Sequence, residues 1–175
     1  MPISVATPPR LRRLAPALRA IVRAALTGEG FRAGEIAIVL TGDAELRALN
    51  RRWRGLDRAT DVLSFDYGDS PVPAEPTLVL ELGRQRASRA RSSRAVVSGD
   101  LVISLDRAAD QARRYRVSRG RELARLAIHG ALHLAGHAHH RPRERRLMRT
   151  SEERALRAAA AQVRRLDAAF AKEAG

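Results

Sequence analysis

The five histidines of this chain all lie between His129 and His140, and cysteine is absent from its 175 residues. Disulfides and thiolate ligands are therefore excluded, so a metal ion could be held only by nitrogen and oxygen atoms. His129 and His133 are four residues apart on a predicted helix, which places both imidazoles on one face, one turn apart. This spacing allows both rings to bind one ion and predicts a metal site on that helix.

A turn is expected to follow at Gly136, because glycine adopts the left-handed conformation without a side-chain penalty. His137, His139 and His140 compete to be a third ligand. Three histidines in line along one helix would span about 12 Å, too far for one ion. His139 has enough residues to return after the turn. Three imidazoles favour one zinc ion per chain and leave a position for water, which zinc ionises near neutral pH. The alternative is a structural or incidental histidine cluster.

Two familiar hydrolase signatures are missing. The zinc-peptidase motif HExxH would need a glutamate where this chain has Gly130. The G-x-S-x-G elbow of many serine hydrolases does not occur either. These absences weaken the peptidase and serine-hydrolase interpretations.

The formal net charge is +14, from 33 basic and 19 acidic residues. Such an excess typically indicates a polyanionic partner, most often nucleic acid. An arginine and alanine bias with Lys172 as the only lysine can equally reflect genome composition. Aromatic residues make up 3% of the chain, which argues against an aromatic platform that stacks single-stranded RNA bases.

No membrane association is predicted. The longest run without Asp, Glu, Lys or Arg is Leu126–His140, which is too short to span a bilayer. Residues Met1–Arg10 lack the basic start and long apolar stretch of a signal peptide. We therefore expect a cytoplasmic protein.

Hydrophobic periodicity predicts an α+β fold, a mixed α/β sandwich whose small, mostly parallel sheet of about four strands packs with about five helices. The metal site would lie on a central helix and the turn after it. We expect one domain over residues 1–175, with a flexible arginine-rich insertion at about 83–94 and a C-terminal helical extension at about 153–175. The predicted strands are 36–40, 61–65, 77–82 and 101–104, and the predicted helices are 16–28, 43–53, 106–115, 119–135 and a single long helix from 143 toward 170.

Three ordered blocks of the sequence resemble the YbeY family of bacterial rRNA-maturation endoribonucleases. The histidine segment His129–His139 reads HGALHLAGHAH, against the family hallmark H-G-x-L-H-L-x-G-(aromatic or His)-D-H. Leu49–Gly55 reads LNRRWRG and is followed by Thr60–Phe65, TDVLSF. The third block, Gly99–Ser104, reads GDLVIS. Order and spacing agree from about Ile36 to Glu152, apart from a longer middle loop.

This resemblance implies a zinc ion on His129, His133 and His139, and a functional arginine, Arg54, that faces the metal cleft. The implied activity is endonucleolytic hydrolysis of single-stranded RNA in 16S rRNA maturation and ribosome quality control, with rRNA of the small subunit as partner. A guanidinium also suits phosphodiester hydrolysis, because it stabilises developing charge on phosphoryl oxygens bidentately.

The sequence departs from the family at two places. Ala138 stands where the family has Asp, so another carboxylate would have to orient a ligand or move a proton; Asp61, Asp100 and Glu144 are possible substitutes. The longer middle loop is either an RNA-binding arm or a disordered insertion. Its candidate substrate-binding residues are Arg84, Arg86, Arg89, Arg91 and Arg94.

Two other functions stay open. The chain could be a ribosome-associated RNA-binding protein with a structural zinc, or a zinc hydrolase with a non-RNA substrate. The sequence does not predict an oligomeric state.

Overall fold

The computed structural model describes residues 3–67, 96–137 and 141–173 of the chain. The chain folds into four strands, a 3₁₀ helix and six α-helices over these ranges. Their bounds are β1 (Ile3–Ala6), the 3₁₀ helix Pro9–Leu14, α1 (Ala15–Gly28), β2 (Arg32–Thr41), α2 (Asp43–Arg54), β3 (Val62–Asp66), β4 (Val96–Ser104), α3 (Leu105–Tyr115), α4 (Arg119–Leu134), α5 (Pro142–Ala158) and α6 (Ala160–Ala171).

The four strands form one mixed sheet in the order β1-β2-β4-β3. Ile36 on β2 pairs in parallel with Ile3 on one side and with Gly99 on the other. β3 is an edge strand and pairs antiparallel to β4, with Val62 opposite Ile103. The predicted α+β class with a mostly parallel sheet of about four strands is confirmed. Strand β1 was not predicted, because four residues show too little periodicity to reveal it.

Helices cover both faces of the sheet. Leu101 and Ile103 of β4 belong to the main core, which they share with α1, α4 and α6. Their neighbour Val102 points the other way and packs with Leu46 of α2 and Leu63 of β3. This alternation follows from the two-residue period of a strand. Helices α2 and α4 therefore lie on opposite faces of the sheet.

Helix α4 is the central helix of the main core. It contacts strands β3 and β4 and helices α1, α3, α5 and α6. Gly130, between the two predicted ligands of α4, lies close against the sheet. A Cβ atom there would lie 2.9 Å from Leu101 Cδ2 and 3.2 Å from Val62 Cγ2. The Ser64 hydroxyl, 3.4 Å from the Gly130 carbonyl oxygen, donates a hydrogen bond to it. The absence of a side chain at Gly130 thus lets the backbone of α4 pack directly on β3 and β4.

The single long helix predicted from residue 143 toward 170 is wrong. Helix α5 ends before Ala159, a buried residue at which the chain turns into α6. The turn brings Leu166 and Phe170 into the main core. A straight helix would have carried those side chains away from the core, so their burial favours the break over helical continuity.

The strand predicted at 77–82 lies outside the described residues. None of the helices in the described ranges combines the length and apolar character that a bilayer crossing requires.

Candidate metal centre

His129 and His133 bring two ring nitrogens together on one face of α4, as their spacing predicted. Their Nε2 atoms are 3.1 Å apart, and the rings meet edge to face with centroids 4.6 Å apart. Two imidazole nitrogens at about 2.0–2.1 Å from one tetrahedral zinc ion would lie roughly 3.3 Å from each other. The pair is therefore already close to the separation that a shared ion requires.

Glu152 of α5 holds the far side of the His129 ring. The distance from His129 Nδ1 to Glu152 Oε1 is 2.5 Å, and the Glu152 side chain is only 14% exposed. A neutral imidazole that donates its Nδ1 proton to a carboxylate keeps the lone pair on Nε2. This carboxylate–histidine arrangement is the one that orients metal ligands in many sites. The observed geometry thus fits a cation on Nε2.

A partly buried guanidinium lies one turn before His129 on the same helix. This residue, Arg125, donates two hydrogen bonds to Glu122 Oε1 and one to Gln111 Oε1. Burial opposes the charged form of Arg125, but the hydrogen bond and charge of Glu122 outweigh it, and Glu152 and Asp61 add to them. The pKa of Arg125 therefore lies above its ordinary value, and its guanidinium stays charged in the ion pair with Glu122.

The predicted turn after α4 is confirmed. Gly136 has a φ of 85°, in the left-handed region. Its amide donates to the His133 carbonyl at 2.9 Å, and the His137 amide donates to the Leu132 carbonyl at 3.0 Å. This pair of bonds is the Schellman motif that ends many helices. The turn directs the His137 ring toward the end of α1, where its Nε2 lies 3.4 Å from Glu29 Oε2.

The three carboxylates considered as substitutes for the family aspartate have other hydrogen-bond partners. Asp61 accepts from the Val62 amide and from Gln111, and Glu144 accepts from the Arg141 amide at the start of α5. Asp100 accepts from Tyr67, and burial together with this bond raises the pKa of the Tyr67 hydroxyl. Glu152, which the sequence did not single out, is the carboxylate that the structure places on His129.

The other predicted site residues are only partly within the described ranges. His139 and the five arginines of the middle loop (Arg84, Arg86, Arg89, Arg91 and Arg94) lie outside them. Within the described ranges no three His, Cys, Asp or Glu side chains come close enough to hold one ion. A third donor for the histidine pair is thus not among these residues, and His139 stays the predicted one.

Arg54 is the exposed last residue of α2. Gly55, with a φ of 67°, ends the helix, and Asn50 Nδ2 donates to the Arg58 carbonyl at 2.8 Å across the following turn. Since α2 and α4 lie on opposite faces, a path from Arg54 to the histidine pair runs past the edge strand β3.

A separate open cavity of about 410 Å³ lies beside α2, away from the histidine pair. Its charged lining is largely ion-paired: Arg47 pairs with Asp57 and Arg107 with Asp43. This pairing leaves the cavity close to electrostatic balance.

Comparison with known proteins gives concordant results. The family model described as endoribonuclease YbeY matches residues 8–160. An endoribonuclease YbeY of Anaeromyxobacter sp. strain Fw109-5 is 43% identical over 150 residues, which cover 86% of this chain and 67% of that protein. One of Chloroflexus aggregans is 43% identical over 140 residues, 78% of this chain and 81% of its own. The solution structure of TM1509 from Thermotoga maritima shares the fold, with a TM-score of 0.55 at 21% identity, and covers 93% of this chain and 91% of that one.

Proposed function

The chain belongs to the family of YbeY endoribonucleases, and from this membership we propose that it is a zinc-dependent enzyme that cleaves single-stranded RNA within the cell. Its substrate would be rRNA of the small ribosomal subunit, in 16S rRNA maturation and ribosome quality control. The names of its relatives support the nuclease activity, and the net charge of +14 suits a polyanionic substrate.

The observation that carries this proposal is the histidine pair of α4. His129 and His133 would bind the ion through Nε2, and these two nitrogens are 3.1 Å apart. His139 would be the third ligand, since the turn at Gly136 ends the helix before it. When bound, zinc would supply Lewis acidity toward water and the phosphodiester. With no cysteine in the chain, the ligand set is restricted to nitrogen and oxygen donors, which suit zinc.

Glu152 and Arg125 would act as positioning residues. The Glu152 carboxylate keeps the Nδ1 proton of His129 in place and fixes the plane of its ring. Arg125 is held in place by Glu122 and Gln111, so its charge acts on the Glu152 carboxylate from a fixed position. The orientation of the His129 ring would thereby be fixed before the substrate binds, so the ring would not have to reorient during the reaction.

Arg54 would bind the phosphate that reacts. Its guanidinium can donate two parallel hydrogen bonds to phosphoryl oxygens, whose charge grows in the transition state. The exposed end of α2 leaves this side chain free to extend around β3. The arginines of the middle loop, Arg84, Arg86, Arg89, Arg91 and Arg94, would add contacts to the RNA backbone outside the reacting phosphate.

The test is cleavage of a labelled single-stranded RNA by the purified, zinc-loaded chain. The same strand annealed to its complement serves as the second substrate. We expect the single strand to be cut, a chelator to stop the reaction, added zinc to restore it, and His133→Ala to abolish it. Stoichiometric zinc without RNA turnover would instead favour a binding protein with a structural metal. Turnover that survives both chelation and His133→Ala would exclude the histidine pair from catalysis.

A further inference from the structure

The first half of α5 carries a concentrated and exposed positive charge. Residues 141–149 contain five arginines and one acidic residue, Glu144. Four of these arginines lie within the helix and are exposed, and they are called the α5 basic surface below: Arg143, Arg145, Arg146 and Arg149. Residues 150–158 of the same helix hold two arginines and two glutamates, so the charge is confined to one end.

This placement works against the stability of the helix. The N-terminal end of a helix carries a partial positive charge, which repels cations in the first turns. Arg145 and Arg149 are also four residues apart, and Arg146 and Arg149 three apart, so like charges are neighbours on the helix surface. The first turns of α5 are therefore an unfavourable place for so many arginines, which argues for a role outside the fold.

Ion pairing distinguishes the two halves of α5. Arg154 pairs with Glu29, and Arg157 lies 4.0 Å from Glu153. By contrast, no carboxylate within the described ranges forms an ion pair with Arg143, Arg146 or Arg149. A genome-wide preference for arginine would enrich both halves, but it does not explain why only one half is neutralised. Three guanidinium groups therefore keep their hydrogen-bonding capacity available for a ligand.

Part of the α5 basic surface lies on the same side of the helix as the contact with the histidine pair. Helix α5 begins at Pro142, five residues after His137, and its Glu152 contacts His129. Arg145 and Arg149 precede Glu152 by seven and three residues, so they lie on the same side of α5, within about 10 Å of it along the helix axis. An RNA strand bound at the histidine pair would therefore have its neighbouring phosphates within reach of these two arginines.

We propose that the α5 basic surface binds the sugar–phosphate backbone of the RNA strand on one side of the cleavage site. This inference rests on the proposed nuclease function. The surface would hold the strand through nonspecific phosphate contacts and so fix how far it extends across the histidine pair. Its arginines would strengthen binding without taking part in bond cleavage.

The test compares two fourfold variants of the full-length chain. One carries Arg143→Gln, Arg145→Gln, Arg146→Gln and Arg149→Gln. The matched control removes the same charge elsewhere, at Arg12, Arg13, Arg164 and Arg165, which are exposed on the 3₁₀ helix and α6. Binding of a 12-nucleotide single-stranded RNA is measured across salt concentrations with chelator present, so that no cleavage occurs. Circular dichroism melts confirm that both variants fold.

Each phosphate contact contributes about −0.7 to the slope of log affinity against log salt for single strands, so loss of the three available guanidinium groups should flatten the slope by about 2. We expect that change in the α5 variant and not in the control. Equal slopes in the two variants would overturn the proposal. Cleavage by the zinc-loaded parent is measured separately; if the parent cuts no RNA, the proposed function fails, whatever the slopes show. If the parent cleaves, the α5 variant should raise KM and leave kcat nearly unchanged.

Discussion

His129 Nδ1 lies 2.5 Å from Glu152 Oε1, so two helices that are separate in sequence meet at one side of the histidine pair. The contact joins α4, which carries the candidate ligands, to the third turn of α5. Glu152 thus holds the Nδ1 edge of the His129 ring, while Nε2 on the other edge is directed at His133.

Replacing Glu152 should weaken metal binding. Glu152→Gln keeps the side-chain shape but removes the charge that holds the Nδ1 proton, and loss of such a partner typically reduces metal affinity by about 10–100-fold. Competition with a chromophoric chelator measures this directly. Glu153→Gln is the matched control, because its carboxylate is 58% exposed and its ion-pair partner is Arg157. Equal zinc affinity in the two variants would show that Glu152 does not orient a ligand.

The identity of the third ligand can be decided by metal analysis of single mutants. His139→Ala should lose zinc as severely as His129→Ala or His133→Ala. His137→Ala should retain near-stoichiometric metal, because its ring turns toward Glu29. His140→Ala should also keep the ion. A zinc-free His137→Ala beside a zinc-loaded His139→Ala would reverse the assignment.

Arg54→Ala should reduce RNA cleavage while the fold and the metal content stay intact. Removal of a donor that stabilises transition-state charge costs about 10²–10³ in rate. Arg54→Lys should recover only part of the loss, since lysine lacks the planar pair of donors. The control is Arg52→Ala, a neighbour whose guanidinium stacks on Trp53 at 4.8 Å from the ring centroid. Single-turnover rates at saturating protein are the measurement, and parental cleavage by Arg54→Ala would remove this residue from the mechanism.

Gly130→Ala should destabilise the fold. Its new methyl group would lie 2.9 Å from Leu101 Cδ2 and 3.3 Å from Ser64 Oγ. Overpacking of this kind costs about 1–3 kcal/mol, and the better helix propensity of alanine returns up to about 1 kcal/mol of it. Gly28→Ala is the control, because a Cβ there meets nothing within 4 Å. Urea unfolding should show a loss of stability for the first variant and no loss for the second. Equal stability would mean that α4 can shift away from the sheet at no cost.

Features set by local sequence were predictable, and contacts between distant segments were not. The spacing of His129 and His133 determines their shared face, and Gly136 supplies the conformation that ends the helix, so both could be inferred from the sequence. Glu152 lies 23 residues from His129 on another helix, and no local pattern reports that two helix faces will meet. The break at Ala159 was missed for the same reason. An alanine-rich segment favours continuous helix, and only the burial of Phe170 in the core shows why the chain turns back.

The central position of α4 has a consequence for how the histidine pair fluctuates. Ten residues of the helix, besides Glu122, are buried, and the helix packs against the sheet and four other helices at once. Local unfolding of such a segment costs nearly as much free energy as unfolding the whole protein, so its amides should exchange with solvent mainly through global unfolding. In deuterium exchange, the backbone that carries His129 should be among the last parts of the protein to take up label, whereas the ring nitrogens remain partly open to water. Slowly exchanging backbone amides would thus carry side chains whose ring nitrogens water can reach, and the geometry of the histidine pair should persist for as long as the whole fold does.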